Sequence, residues 1–368
     1  MIRKFSIVIS FYKQFKYIKS TLDGIFNQSY NNYEVLIRDD FSEDNSADVI
    51  SSYVNSNNKI DKIKHIEFGE KNVGFVKSIN KLLRYCTGDF IIIHGGDDIS
   101  NLDRLERSLY IFDKYNVDVL GSDAILIDEN SNVFHNTSLP KSPFKTYRYG
   151  KYIEKDKIIL LQNNKLHNIP GIVFGGYGNC YSNKIFEKIN YSIPETMAGE
   201  DYYLCFIGNL LNGSAFSIEP MLKRRYGNSN ISLGDFNKSD ISKNIIPNKE
   251  KINNIFYKQK LFQININEER LSFLKNNDVN IFIDKDKLMN ILKANIKIYE
   301  IFANIFDSKS NFFKHIKLFI QFLLIRGSSV KYRIYTFLVF LFPRVYKLWY
   351  TRKYIQSLKR RFITGNKS

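Results

Sequence analysis

Gly88-Asp89-Phe90-Ile91-Ile92-Ile93-His94-Gly95-Gly96-Asp97-Asp98 sets four apolar, strand-prone residues between glycine turns and ends on two adjacent carboxylates. A short apolar run bounded by turn residues reads as a buried strand, so a strand is predicted over 89–93. Upstream, similar runs recur at 5–10, 33–38 and 63–68, each followed by helical periodicity at 14–28, 46–54 and 73–85. In the first of these helices Phe15, Ile18, Leu22, Ile25 and Phe26 share one face. Such alternation predicts an α/β chain, a mostly parallel sheet with helices on both faces. Sheets of this kind bind ligands beyond the carboxyl ends of their strands. The polar clusters Ser10 to Tyr12, Asp39-Asp40 and His94 to Asp98 all follow strands, so chemistry is expected there.

Downstream, residues 101–115 read as a helix with Leu102, Leu105, Leu109 and Phe112 in register, followed by a strand at 117–127. Residues 128–157 are polar and turn-rich, suggesting hairpins or a loop, and 160–168 suggests a helix. Ile172 to Phe174 leads through Gly175-Gly176-Tyr177-Gly178 into a helix at 184–189. A helix over 200–211 carries its acids in the first turn, and short strands at 215–218 and 221–226 close the unit. Residues 236–307 look helical and polar, interrupted by an Asn-rich stretch near 276–280. The expected organisation is a catalytic domain over 1–235, a C-terminal helical extension over 236–310 and a basic tail over 311–368.

Composition narrows the function. A chain of 368 residues suits one catalytic domain plus an appendage. Cys86, Cys180 and Cys205 are far apart, without ligand spacing, so neither a disulfide framework nor a cysteine metal site is expected. Met1-Ile2-Arg3-Lys4 runs directly into a strand, so export by a signal peptide is not expected and a cytoplasmic location is. The net charge of +17 is concentrated at the end: Lys309 to Ser368 holds fourteen Lys/Arg and no Asp or Glu. The rest is near neutral, which argues against nucleic acid as the partner of the catalytic domain.

Adjacent carboxylates after a buried strand, beside glycines that admit close approach, suit a hard divalent cation bridging diphosphate oxygens, hence Mg²⁺ or Mn²⁺. Asp40 can accept an N–H from a uracil-type ring, and Tyr12 can offer an aromatic face. His94 extends its strand and reads as a half-buried histidine satisfied by its neighbours rather than as a metal ligand.

These residues carry a resemblance. Ser6-Ile7-Val8-Ile9-Ser10-Phe11-Tyr12, Phe26-Asn27-Gln28-Ser29-Tyr30, Tyr33 to Ser42, Asn72-Val73-Gly74, Thr87-Gly88-Asp89-Phe90 and Gly96-Asp97-Asp98 resemble, in order and spacing, the family-two inverting glycosyltransferases of GT-A fold, of the bacterial surface-polysaccharide type. The resemblance implies a Rossmann-like sheet and a nucleotide-sugar donor. It implies that Ser10, Tyr12 and Asp40 hold the nucleoside, that Asp97 lies near ribose and diphosphate, and that Asp98 is the metal ligand. Gly199-Glu200-Asp201 matches the acidic motif that opens a helix, which makes Asp201 the general base. Arg224-Arg225-Tyr226-Gly227-Asn228-Ser229 matches the late basic segment, with Arg224 and Arg225 on the diphosphate. Many relatives carry His at the position of Tyr226 and Asp at that of Gly95, so Asp98 rather than the whole loop is expected to carry the metal.

In the tail, Phe312 to Arg326 and Tyr332 to Tyr350 are aromatic and aliphatic runs bounded by cations. The uncharged core Ile334 to Phe342 falls short of the ~20 residues that span a bilayer. Lying on an anionic membrane surface is the expected mode, with Tyr346, Trp349 and Tyr350 at the interface; a core-packing helical pair with a solvated basic end is the alternative. A membrane-surface transferase suits a lipid-linked or oligosaccharide acceptor in O-antigen- or capsule-type polysaccharide biosynthesis. Two rivals remain. A nucleotidyltransferase of related fold would carry a Gly-rich phosphate loop where Ser10-Phe11-Tyr12-Lys13-Gln14 stands, and a non-catalytic assembly partner would lack the acids that are present.

Overall fold

The computed structural model describes residues 2–56, 60–138, 150–161, 177–197, 199–226, 249–278, 284–306 and 320–322. Apolar alternation and β-branched content make strands β1 (Phe5–Phe11), β2 (Tyr33–Asp39), β3 (Ile63–Phe68) and β4 (Phe90–His94). They pair in parallel in the spatial order β3-β2-β1-β4, with Phe11 opposite Asp39 and Ile9 opposite His94. The carboxyl ends of β1, β2 and β4 therefore lie side by side, as the sequence predicts.

Beyond β4 the sheet becomes mixed. The further strands are β5 (Ile99–Ser100), β6 (Val119–Ile127), β7 (Val133–His135), β8 (Lys151–Ile153), β9 (Ile158–Leu161), β10 (Tyr177–Ser182) and β11 (Ser214–Arg225). Strand β10 runs antiparallel between β4 and β6, and β11 is parallel to β6 and antiparallel to β9. Three sequence expectations are corrected here. Leu160 and Leu161 belong to a strand, not a helix, because Ile158 to Leu161 pairs with Ser214 to Ser217; the rest of the helix expected over 160–168 lies outside the described residues, as does Ile172 to Phe174. The glycine run does not simply turn: Tyr177 and Gly178 already form the start of β10. The two short closing strands are one, β11, whose pairing with β6 shifts register between Ser217 and Leu222 around Pro220, which lacks a ladder donor.

Helices α1 (Phe15–Phe26), α2 (Ser46–Ser56) and α4 (Arg104–Tyr115) bury Ile18, Leu22, Ile25, Ile50, Leu105 and Phe112 with Phe5, Ile7, Ile9, Val35, Ile37 and Phe90 on one sheet face. Ile111 also lies in this core, while Leu102, expected on the buried face, is exposed because α4 starts after it. Helix α3 (Phe75–Leu83) lies on the other face, where the Nε of Arg38, the neighbour of core residue Ile37, donates to Ser78 Oγ at 3.1 Å. Helices α5 (Asn183–Lys188) and α6 (Asp201–Leu210) follow β10.

The Thr87-Gly88-Asp89 motif serves the fold. Buried Glu34 accepts hydrogen bonds from Ser6 Oγ (2.6 Å) and from Thr87 N and Oγ1 (2.7 and 2.8 Å), while Asp89 accepts from Lys4 N at 2.8 Å. Thr87-Gly88-Asp89 thus staples the amino edge of the sheet, away from the carboxyl ends.

These elements form one compact unit within Met1–Arg225; a second unit contains α7 (Lys249–Asn276) and α8 (Lys285–Phe306) packed on each other. The break expected near 276–280 falls between those two helices. Among the described residues no helix is long and apolar enough to cross a membrane. Of the tail, only 320–322 is described, and it is helical.

Candidate active site

The loops after β1 and β2 are built as a pair. Asp40 N donates to the Phe11 carbonyl at 2.8 Å, and Lys13 N donates to Ser42 Oγ at 2.9 Å. Asp39 caps its own turn by accepting from Ser42 N at 2.9 Å and Ser42 Oγ at 2.5 Å. The buried Asp40 carboxylate accepts from Val73 N (3.1 and 3.2 Å to its two oxygens) and Gly74 N (2.8 Å), and Arg38 Nη2 lies 3.5 Å from Oδ1. Asp40 therefore ties Asn72-Val73-Gly74, which opens α3, to the end of β2. Ser10 is buried in β1, and Tyr12 is exposed at its end.

The acidic loop passes close beside them. A side chain at Gly96 would meet Gln14 Oε1 at 2.1 Å and Phe11 Cδ1 at 3.0 Å, so Gln14 would have to move aside to admit one, and glycine lets the acidic loop lie close to the β1 loop. Strand β5, antiparallel to Leu222-Lys223 of β11, brings Arg224 and Arg225 back to Asp97-Asp98. Arg225 N donates to Asp98 Oδ1 at 3.0 Å and Arg225 Nε to the Asp97 carbonyl at 3.0 Å. Arg225 Nη1 donates to the Asp128 and Glu129 carbonyls (2.8 and 3.3 Å) and to Ser131 Oγ (3.0 Å), and the guanidinium lies 4.4 Å from the Tyr17 ring centre. Arg225 is thus a buried clamp on the acidic loop, whereas Arg224 is half-exposed and acts on both Asp97 and Asp98 by charge.

Burial and the adjacent Asp97 push the Asp98 carboxyl up to about 7, against the pull of Arg224. Burial also raises Asp97, while Arg224 and Arg225 draw it down. A crowded pair of hard oxygen acids gains from a divalent cation, which would relieve both the desolvation and the repulsion. Among the described residues no group of three or more His, Cys, Asp or Glu could hold a metal ion. Mg²⁺ is often bound by one or two carboxylates together with substrate phosphates, and the donor set of Asp97 and Asp98 fits a cation completed in that way.

Beneath the pair lies a network that residue order did not reveal. His94 is 1% exposed; its Nδ1 donates to the Gly95 carbonyl at 2.7 Å and its Nε2 meets Ser100 Oγ at 2.9 Å. Burial and the nearby Arg104 lower its pKa to about 3, so it is a neutral, satisfied histidine, more deeply buried than its strand-end position suggested. Arg104 donates from Nη1 to Ser100 Oγ at 2.8 Å and from Nη2 to the Gly178 carbonyl at 2.6 Å, and its charge stabilises the ionised Asp98. Gly178 has φ +60, and a side chain there would strike Arg104 Nη2 at 2.8 Å. The available signal was a cation in the apolar register of α4, one residue before Leu105.

Asp201 opens α6. That helix ends just before Ser214, which pairs with Val119 at the start of β6, so its carboxyl end sits at the amino edge of the parallel strands. Its ten residues rise about 15 Å, and the Glu200 and Asp201 carboxyls at its start act by charge on the buried Tyr181 of β10. Asp201 Oδ1 accepts from Tyr202 N at 2.8 Å. Burial and the neighbouring Asp201 push the Glu200 carboxyl up to about 8, so Glu200 keeps its proton at neutral pH.

The sequence profile of glycosyl transferase family 2 matches residues 6–179. Curated relatives include EpsE of Bacillus subtilis (strain 168), 30% identical over 127 residues, which is 34% of this chain and 45% of EpsE. The uncharacterized glycosyltransferase MJ1057 of Methanocaldococcus jannaschii is 27% identical over 241 residues, 64% of this chain and 75% of that protein. The poly(ribitol-phosphate) beta-N-acetylglucosaminyltransferase TarS of Staphylococcus aureus is 29% identical over 119 residues, 32% of this chain and 20% of TarS. The chain therefore spans less than half the length of EpsE and of TarS. The solved structure of S. aureus TarS 1-349 in complex with UDP-GlcNAc superposes with a TM-score of 0.58 at 17% identity, covering 97% of this chain and 92% of that one. The shared fold is GT-A, an α/β sheet with helices.

Proposed function

Since the chain carries a glycosyl transferase family 2 domain over residues 6–179, we propose that it transfers a sugar from a nucleoside-diphosphate donor to a hydroxyl of a lipid-linked oligosaccharide, with inversion, in cell-surface polysaccharide synthesis. The observation that carries this reading is the junction where Arg224-Arg225, at the end of β11, meets Asp97-Asp98 beside the β1 and β2 loops. It gathers acids, cations and an aromatic side chain at the carboxyl edge where α/β sheets bind ligands. The similarity to TarS, a poly(ribitol-phosphate) beta-N-acetylglucosaminyltransferase, supports the polysaccharide class.

In this reading Ser10, Tyr12 and Asp40 hold the nucleoside, Asp40 partly through the Val73-Gly74 backbone that it positions. Arg224 faces the diphosphate, and Arg225 keeps the acidic loop in place from below. Asp98, helped by Asp97, would hold Mg²⁺ or Mn²⁺, which supplies Lewis-acid stabilisation to the departing diphosphate. Asp201 takes the proton of the acceptor hydroxyl as that oxygen attacks the anomeric carbon. The bond from that carbon to the diphosphate oxygen breaks, and the configuration inverts in a single displacement. The test is a mass-spectrometric screen of nucleotide sugars with polyprenyl-diphosphate-linked acceptors. Transfer from at least one donor is expected, and a product that gains a nucleotidyl group instead would overturn the reading in favour of nucleotidyl transfer.

The basic tail carries the membrane part of the proposal, on the cytoplasmic face. Each Lys or Arg near an anionic surface contributes about 1 kcal/mol, and salt screens it. Full-length protein is expected to sediment with phosphatidylglycerol-rich vesicles in low salt and to release in high salt. Protein that stays in the supernatant in low salt would remove this part.

A further inference from the structure

Phe41 stands at φ +62, in the left-handed region where a bulky side chain crowds its own backbone and glycine is the usual occupant. Its ring is 44% exposed, so burial does not hold it there. The left-handed backbone belongs to the turn, but the aromatic side chain does not serve it. The turn is made by Asp40 N on the Phe11 carbonyl and by Ser42 on Asp39, bonds that glycine at position 41 would leave intact. The position is nonetheless well defined. The Lys13 N to Ser42 Oγ bond of 2.9 Å joins the loop after β1 to the loop after β2, and the residues just before its two ends are Tyr12 and Phe41. Tyr12 is also 44% exposed. Two exposed aromatic residues, Phe41 and Tyr12, the latter with Lys13 Nζ 5.3 Å from its ring centre, therefore flank one hydrogen bond at the carboxyl edge, where Phe11 and Asp39 are register partners.

We propose that Phe41 is a base-contacting residue of the donor site, adding a second aromatic surface beside Tyr12 for the flat nucleobase of a nucleoside diphosphate. The proposal rests on the donor-site reading above. A strained, exposed ring beside Asp40 is disfavoured in the free protein and is offset when a base covers it. Stacking acts on the π face of any base, so Phe41 strengthens nucleoside binding without contacting the diphosphate.

The experiment compares wild type, Phe41→Gly and Phe41→Tyr by calorimetric titration with UDP, GDP, ADP and inorganic pyrophosphate in the presence of Mn²⁺, together with thermal melts. Phe41→Gly is expected to weaken the best-bound nucleotide about 5- to 30-fold. Its pyrophosphate affinity should stay at the wild-type value, and its melting temperature should rise by about 2 °C as the left-handed strain is relieved. Phe41→Tyr should keep nucleotide affinity within about twofold. If wild type binds a nucleotide and Phe41→Gly binds it equally well, the proposal is wrong while the donor site stands. An equal loss for pyrophosphate and nucleotide also overturns it, because the residue would then act on the loop as a whole. Failure of wild type to bind any of the three nucleotides removes the donor-site reading, and this inference with it.

Discussion

Asp98→Asn is expected to lower kcat/KM by about 10³-fold and to abolish cation-dependent nucleotide binding while leaving the fold intact. The asparagine carbonyl oxygen can still accept the Arg225 N–H that Asp98 Oδ1 accepts at 3.0 Å, so the loop stays anchored and the charge alone is removed. The wild-type protein should show the charge through pH. With Asp98 pushed up to about 7, a proton competes with the cation below that value. Mn²⁺-dependent UDP affinity should therefore fall by up to about tenfold per unit below pH 7 and level off above it, measured by titration calorimetry. Cation-free stability runs the other way. A carboxyl whose folded pKa is raised contributes stability that is fully present below its unfolded value of 3.8 and is lost as pH rises through about 7. Asp98→Asn, which cannot ionise, should then melt above wild type at pH 8 without metal and show no such advantage at pH 3.5. A variant that binds Mn²⁺ and UDP like wild type would remove Asp98 from the metal site.

The acidic pair was legible because its chemistry is local: two carboxylates, a preceding buried strand and glycine on one side are all contiguous. The parallel half of the sheet was legible for the same reason, since each strand and its helix announce themselves within one contiguous stretch, as at 5–28, 33–54 and 63–85. What sequence order concealed depends on pairing across long separations. Strand β10 enters antiparallel between β4 and β6, and no periodicity states that orientation. The continuity of β11 through Pro220 is fixed by partners on both sides, while the local sequence at Glu219-Pro220 reads as a break. The left-handed backbone of Phe41 is not legible in the sequence, because an aromatic residue carries no mark of its backbone angle.

The two neighbouring arginines show the same limit from another side. Arg224 and Arg225 have equal claims on a phosphate by composition, yet strand alternation points them differently. One meets Asp97 and Asp98 by charge, and the other runs beneath the loop to the Asp128 and Glu129 carbonyls. Arg104 deepens that arrangement. A buried guanidinium held by Ser100 and Gly178 places positive charge under the acids, so the loop rests on cations from two elements, α4 and β11. A site assembled in this way keeps its acids in position before any ligand arrives, which is what electrostatic preorganisation requires.

Asp201→Asn is expected to lower kcat by about 10²- to 10⁴-fold with donor affinity unchanged, because under the proposed mechanism it removes the proton acceptor and leaves the proposed donor loops alone. Asp201 sits on α6, whereas the acidic loop, Arg224 and the paired β1 and β2 loops belong to other elements. An asparagine keeps an oxygen for the Tyr202 N–H, so the start of the helix persists. Its place at a helix amino end favours the carboxylate form that a base needs. Glu200 provides the control. Burial and Asp201 push it up to about 8, so it is protonated near neutrality, and Glu200→Gln copies that state. Glu200→Gln should therefore keep kcat within about fivefold at pH 7. It should also gain melting temperature at pH 9, because the stability carried by a raised carboxyl is complete below its ordinary value of 4.5 and is lost as pH rises through about 8. Steady-state transfer assays with equilibrium donor titrations separate the outcomes. If Glu200→Gln is inactive and Asp201→Asn active, the base is the other acid; if Asp201→Asn loses donor binding in step with kcat, the residue belongs to the donor pocket and not to proton transfer.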